Sequence, residues 1–147
     1  MAALTPPYHI ALVVEDLDAA MADLGRTIGL EWNAPFVGGG HLEMDGQVVE
    51  GAPRVVFSRQ GPPYLELVER VPGTVWAETG LHHIGLWTDD IAAESANLED
   101  RGAPLEAHGA RGDGQRTFFC YHQTASGMRV ELVDIGRSGP HLARYLS

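Results

Sequence analysis

His9-Ile10-Ala11-Leu12-Val13-Val14-Glu15-Asp16-Leu17-Asp18-Ala19-Ala20 can be laid on His83-Ile84-Gly85-Leu86-Trp87-Thr88-Asp89-Asp90-Ile91-Ala92-Ala93 at a constant offset of 74, with His, Ile, Leu, Asp and Ala recurring in register. Self-similarity at a fixed offset marks a duplicated structural unit and takes precedence over any local motif in deciding the fold. Further along, Leu65-Glu66-Leu67-Val68-Glu69 lies on Val130-Glu131-Leu132-Val133-Asp134 at an offset of 65, so the second copy is nine positions shorter between its ends, and loops are expected to absorb the difference. The run before each of these also recurs, as Arg54-Val55-Val56-Phe57 and Arg116-Thr117-Phe118-Phe119.

Each copy opens with an apolar run of strand length, followed by an Asp at a helix N-cap position, Asp16 or Asp90, and then by residues at helical spacing. Leu17, Met21, Leu24 and Ile28 form one apolar stripe, and Ile91, Ser95 and Leu98 a shorter one. Gly29 and Gly102 stand where these helices should stop. Gly- and Pro-rich segments then separate short strands, the pattern of a β-meander. The unit reads β-α-β-β-β. The expected architecture is α+β: one domain over residues 1–147, with module one at about 8–70 and module two at about 81–136, pairing into a curved mixed sheet. A linker, Val71 to Gly80, joins the copies, and the tail after Gly136 is expected to lie on the surface.

A chain of 147 residues is long enough to bury a real core. Its formal charge of −10 opposes binding to phosphate backbones and anionic lipid surfaces, which reward clustered cations, so nucleic acid and membrane are not expected partners. The acidity is scattered rather than massed in one run, as on a solubilising surface. A single cysteine, Cys120, excludes an intrachain disulfide and reads as a buried thiol within an apolar run. The sequence shows neither a signal peptide nor an apolar stretch of membrane-span length, so a cytoplasmic location is expected.

Strand alternation then sorts the polar residues. His9, Ala11 and Val13 share one face, opposite Ile10, Leu12 and Val14, while His83, Gly85 and Trp87 share a face opposite Ile84 and Leu86. A small residue two places after each His leaves room beside an imidazole. Glu66 shares a side with Tyr64 and Val68, opposite Leu65 and Leu67, and Glu131 lies opposite Val130 and Leu132. A carboxylate in an apolar strand costs several kcal/mol unless it finds a partner, and here the placement is made twice at equivalent positions. Taken singly, each of the four reads as a satisfied core histidine or an edge-strand glutamate. Together, His9, Glu66, His83 and Glu131 form a coherent ligand set for one divalent ion (Zn, Co, Ni, Mn or Fe), leaving coordination positions for water or substrate oxygens. Alternation points His82 away from His83 and removes it as a ligand.

These residues resemble the vicinal oxygen chelate superfamily, which includes glyoxalase I, methylmalonyl-CoA epimerase, bleomycin-resistance proteins and extradiol dioxygenases. The likeness runs from about Tyr8 to Ile135. It is strongest to the epimerase-like branch, whose second and third ligand motifs look like Leu65-Glu66-Leu67-Val68-Glu69 and Gly80-Leu81-His82-His83-Ile84-Gly85 followed by Asp89-Asp90-Ile91. The resemblance implies two modules forming a cup, a metal on His9, Glu66, His83 and Glu131, and proton abstraction from a small oxoacid, thioester or conjugate by Glu131 or Glu66, in an isomerase, epimerase or lyase. Two departures stand out. Asp23-Leu24 replaces the aromatic pair of many members, and Phe57 occupies the place where such epimerases carry a further carboxylate. Phe57, Phe119 and Trp87, with Trp32 or Trp76, would give the small-molecule pocket aromatic walls. His122 is either a proton shuttle at the cavity or an exposed loop residue, and His41, in the Gly38-Gly39-Gly40-His41 stretch, belongs to a lid or to ordinary loop. The alternative functions are a binding or resistance protein for aromatic compounds, whose relatives commonly lack the ligands, and an extradiol dioxygenase, which leaves the position of Glu66 free. Open sheet edges would admit a homodimer.

Overall fold

The computed structural model describes residues 6–38, 40–110 and 118–146. In the first copy, strand β1 (His9–Val14) leads into helix α1 (Leu17–Ile28), followed by β2 (Phe36–Val37), β3 (Gly40–Met44), β4 (Gln47–Gly51), β5 (Arg54–Phe57) and β6 (Tyr64–Glu69). The second copy runs β7 (Gly80–Thr88), α2 (Ile91–Asp100), β8 (Leu105–Gly109), β9 (Phe119–Gln123) and β10 (Arg129–Asp134), and helix α3 (Ile135–Leu142) ends the described chain. The strands form one mixed sheet in the order β2-β5-β6-β1-β7-β10-β9-β8-β3-β4. The two copies meet where β1 pairs antiparallel with β7, and each of these is flanked by a parallel partner, β6 and β10 respectively.

Both helices begin as the sequence implies. Asp16 accepts a hydrogen bond from the Ala19 N–H, and Asp90 from the Ala93 N–H. Gly29 ends α1 at φ 75°, in the left-handed region that glycine enters without steric cost. The helices cover one face of the sheet. Leu17 packs with Val56 and Leu67 beneath α1, and Ile91 with Leu86, Cys120 and Leu132 beneath α2. Leu65 and Val130 join these clusters, so the aliphatic pairs around each glutamate do turn toward the helices. Ile28 is 65% exposed, so the α1 stripe stops at Leu24.

The extra length of the first copy is not absorbed by loops. It forms the β3–β4 hairpin, which crosses to the far end of the sheet and pairs antiparallel with β8 of the second copy. The tail does lie on the surface, with no buried residue among those described, but it is not loose chain. It forms α3, capped by Asp134, and Leu142, Tyr145 and Leu146 pack on the concave core, with Tyr145 stacked 4.1 Å from Phe36. Apolar side chains spaced for burial explain the docking, and the short helix was hidden by its glycines and by Pro140.

A second correction concerns register. Phe57 lies opposite Glu66, and Tyr121 lies opposite Glu131, so the counterpart of Phe57 is Tyr121 rather than Phe119. Arg116 and Thr117 of the expected strand lie outside the described residues. The slip is by two positions and therefore keeps each side chain on its face.

Replacing either helix-capping aspartate by alanine is expected to lower stability by about 1 kcal/mol, with Asn nearly neutral at the same positions. Chemical denaturation of Asp16→Ala, Asp90→Ala and the Asn counterparts measures this; equal losses for Ala and Asn would show that charge, not the cap bond, matters.

Candidate metal centre

The seam of the sheet brings the four expected side chains together. His9, Glu66, His83 and Glu131 are all buried, and each offers a ligand atom within 4.8 Å of the others. His9 Nε2 lies 2.9 Å from His83 Nε2 and 3.2 Å from Glu131 Oε2. His83 Nε2 lies 2.6 Å from Glu131 Oε2 and 3.4 Å from Glu66 Oε1, which is 3.8 Å from His9. Strand order accounts for the geometry: the histidines stand on the two seam strands and the glutamates on the strands outside them, β6-β1-β7-β10.

The small residues make this approach feasible across the seam rather than along each strand. Gly85 lies opposite His9, and Ala11 opposite His83, so each copy clears space for the imidazole of the other. A Cβ on Gly85 would stand 1.9 Å from His9 Cε1 and 2.2 Å from Nδ1. No side chain fits there.

These residues fit a divalent ion. Two donors at about 2.1 Å from one ion and at right angles lie about 3.0 Å apart, close to the separation of the two Nε2 atoms, and two imidazoles with two carboxylates suit Zn, Ni, Co, Mn or Fe(II). Electrostatics point the same way. Burial disfavours a charge on His83, but Glu131 and Glu66 outweigh it and raise its pKa, while His83 and His9 hold Glu131 down against its own burial. A pocket that draws a proton onto His83 this strongly would also draw a cation.

Of the four, Glu66 and Glu131 line a cavity of about 520 Å³, whereas His9 and His83 are buried and do not reach its wall. Phe57, Phe119 and Trp76 line it, as do Phe36, Val55 and Val68. Tyr8 and Tyr121 line it too and were not singled out in the sequence. Burial raises both phenols well above their ordinary range, with Glu131 and Glu66 adding to the effect, so both stay protonated. Tyr121 accepts a hydrogen bond from Trp76 Nε1 at 3.1 Å, leaving its own O–H to donate. Counting two residues on from Phe119 would have found Tyr121.

Other expected wall residues lie elsewhere. Trp87 is absent from the cavity lining and stacks behind Tyr8, ring centroids 3.9 Å apart. Trp32 belongs to the cluster under α1, its Nε1 donating to the Met21 carbonyl. His122 is neither a loop residue nor a shuttle at the cavity: it is fully buried on the α2 side, 2.7 Å from Ser95 Oγ and 2.8 Å from the Ala103 carbonyl. Its cross-strand partner is Val130, which faces the helix, so the pairing carries His122 to the same side. His41 is on β3 and lines the cavity with Arg137, Ser138 and His141 of α3; Gly39 beside it lies outside the described residues.

His82 also departs from expectation. Its side chain turns to the concave side, Nδ1 2.7 Å from His83 Nδ1 and Nε2 2.7 Å from the Val75 carbonyl. Burial, followed by the neighbouring His83, lowers it to about 3, so it is neutral.

The family described as the Glyoxalase/Bleomycin resistance protein/Dioxygenase superfamily matches residues 8–121. The chain belongs to that superfamily. Within it, an ethylmalonyl-CoA/methylmalonyl-CoA epimerase of Cereibacter sphaeroides is 26% identical over 143 residues, spanning 86% of this chain and 96% of the relative. Among solved structures, the methylmalonyl-CoA epimerase of Mycobacterium tuberculosis superposes with a TM-score of 0.63 at 20% identity, covering 90% of this chain and 91% of its own. The Streptomyces coelicolor methylmalonyl-CoA epimerase in complex with 2-nitronate-propionyl-CoA gives 0.61 at 22% identity, covering 89% and 97%. This superfamily member therefore shares the curved α+β fold of those epimerases.

Gly85→Ala is expected to force the His9 ring out of its place and to lower stability by about 1–3 kcal/mol, the cost of overpacking. Thermal melting checks it, and an unchanged melting temperature would mean that the notch at Gly85 is not filled by His9.

Proposed function

We propose that this chain is a divalent-metal-dependent epimerase that inverts a carbon next to a thioester carbonyl, with His9, Glu66, His83 and Glu131 holding the ion. One observation carries the reading: these four buried donors come within 4.8 Å of one another, and two of them, Glu66 and Glu131, line a cavity sized for a small acyl group. The epimerase relatives favour this reaction over a lyase or a dioxygenase and suggest a CoA thioester of a branched malonate as substrate. When bound at these four residues, a divalent ion would supply Lewis acidity that offsets the negative charge developing on the substrate as the proton leaves.

The protein's own groups then have to move the proton. Epimerisation removes it from one face of the carbon and returns it to the other. Val55 and Phe57, the cavity-lining residues of β5, are apolar, so this strand offers no carboxylate to either face. Among the described residues, the carboxylates that do line the cavity are Glu66 and Glu131, on β6 and β10, outside the two histidine strands. Glu131 takes the proton and Glu66 delivers one from the opposite flank, each acting from within hydrogen-bonding reach of its substrate face. Tyr121, opposite Glu131 in the sheet, donates its O–H to a substrate oxygen. The apolar walls exclude water and accommodate an alkyl branch on the carbon, while Arg137 meets an anionic group of the substrate at the cavity wall.

Incubation of methylmalonyl-CoA and ethylmalonyl-CoA with the protein in heavy water, with Zn, Co, Ni or Mn added after chelator treatment, is expected to place deuterium on the branched carbon only when an ion is present. Glu131→Gln is expected to slow that exchange by about 10²–10⁴-fold. Mass spectrometry reads both, and a protein that exchanges neither substrate with any ion is not an epimerase of this class.

A further inference from the structure

Strand β7 carries one residue more than its pairing with β1 needs. Ala11 lies opposite His83 and the next residue, Leu12, lies opposite Leu81, which leaves His82 as the extra residue of a β-bulge. The bulge re-aims the side chain into the concave core, where the ring is buried edge-on to Tyr121. It also frees the His82 carbonyl, which accepts from Arg129 Nη1 at 3.0 Å, and Arg129 is itself held by both oxygens of Glu106 at 2.7 and 3.3 Å. The bulge is thus braced from outside.

The hydrogen-bond roles of the ring follow from its partners. The Val75 carbonyl can only accept, so His82 Nε2 carries a proton and donates it. The ring touches no carboxylate, and a second proton on it would bury an unpaired charge. His82 Nδ1 is therefore bare and accepts, which puts the proton between the two rings on His83 Nδ1. His83 Nε2 then faces His9, Glu66 and Glu131, and its lone pair becomes available to an ion that takes the place of the proton it shares with Glu131.

We propose that His82 is a positioning residue for the metal centre, a backing acceptor that locks His83 in the Nδ1–H tautomer and in the orientation that presents Nε2 to the ion. This rests on the metal reading above. The two copies differ at this point: the residue before His9 is Tyr8, which meets the imidazole edge-on at 4.4 Å, and His9 Nδ1 has no hydrogen-bond partner among the described residues. One imidazole is backed by a hydrogen-bonded chain from Val75, and the other is wedged by rings.

The test compares His82→Leu, which removes the acceptor, with His82→Asn, whose Oδ1 can occupy the place of Nδ1. Zinc and cobalt affinity are measured by competition with a chromogenic chelator, and the His83 tautomer by long-range proton–nitrogen NMR of the zinc-loaded protein. Loss of a hydrogen-bonded partner behind a ligating histidine typically costs roughly 10–100-fold in metal affinity. That loss is expected for His82→Leu, with recovery in His82→Asn and a slowly exchanging Nδ1 proton on His83 in the wild type. Undiminished binding by His82→Leu, or a His83 that binds the ion through Nδ1, overturns the proposal while leaving the metal reading intact. A wild-type protein that binds neither ion removes both. Should His82→Leu not fold, the tautomer and exchange rate of His83 in the wild type and in His82→Asn decide the matter.

Discussion

Two carboxylates buried inside a sheet are tolerable only because two imidazoles meet them, and the rest of the molecule is arranged around that encounter. Each buried glutamate would cost several kcal/mol without a partner, and the nearest imidazole to both is His83 on seam strand β7, 2.6 Å from Glu131 and 3.4 Å from Glu66. The meeting requires the close approach that Gly85 permits, since a side chain there would occupy the space of the His9 imidazole from the other copy. It also requires that apolar burial be found elsewhere. The two helices supply it on the opposite face, where the leucines beside each glutamate pack.

Duplication explains why the centre exists, and divergence between the copies explains how it becomes a site. In a strictly symmetric cup both flanks would be alike. Here Phe57 faces Glu66 where Tyr121 faces Glu131, which makes one flank apolar and the other able to donate a hydrogen bond. Tyr8 precedes one histidine and His82 the other, so one imidazole is enclosed by rings and the other is tied to the backbone. The hairpin of the first copy extends the sheet of the second, and α3 brings Arg137, Ser138 and His141 to the cavity.

Three of the five histidines outside the His9–His83 pair show where reading by alternation holds and where it fails. His122 follows the rule once its partner is known: it pairs with Val130, faces α2 and takes Ser95 and the Ala103 carbonyl as partners. No single strand reveals this, because the face of β9 is defined by β10. His82 breaks the rule, since one extra residue in β7 returns its side chain to the face that alternation assigns to His83. His41 sits in glycine-rich sequence that reads as loop, yet pairing with β4 and β8 makes it strand and leaves it on the cavity.

The chain's own order of residues determined the duplication, both helix starts, and the inward face of each of the four donors. All of these are local: period two in a strand, a carboxylate at a cap, a repeat visible by eye. The partner of each small residue, the register that makes Tyr121 the counterpart of Phe57, the passage of the β3–β4 hairpin to the far edge, and the bulge at His82 were decided only by tertiary pairing. The reason is physical. A strand's periodicity states which side chains share a side, but which side is buried, and against what, depends on hydrogen bonds to strands that may lie a hundred residues away, and a bulge is a property of two strands at once.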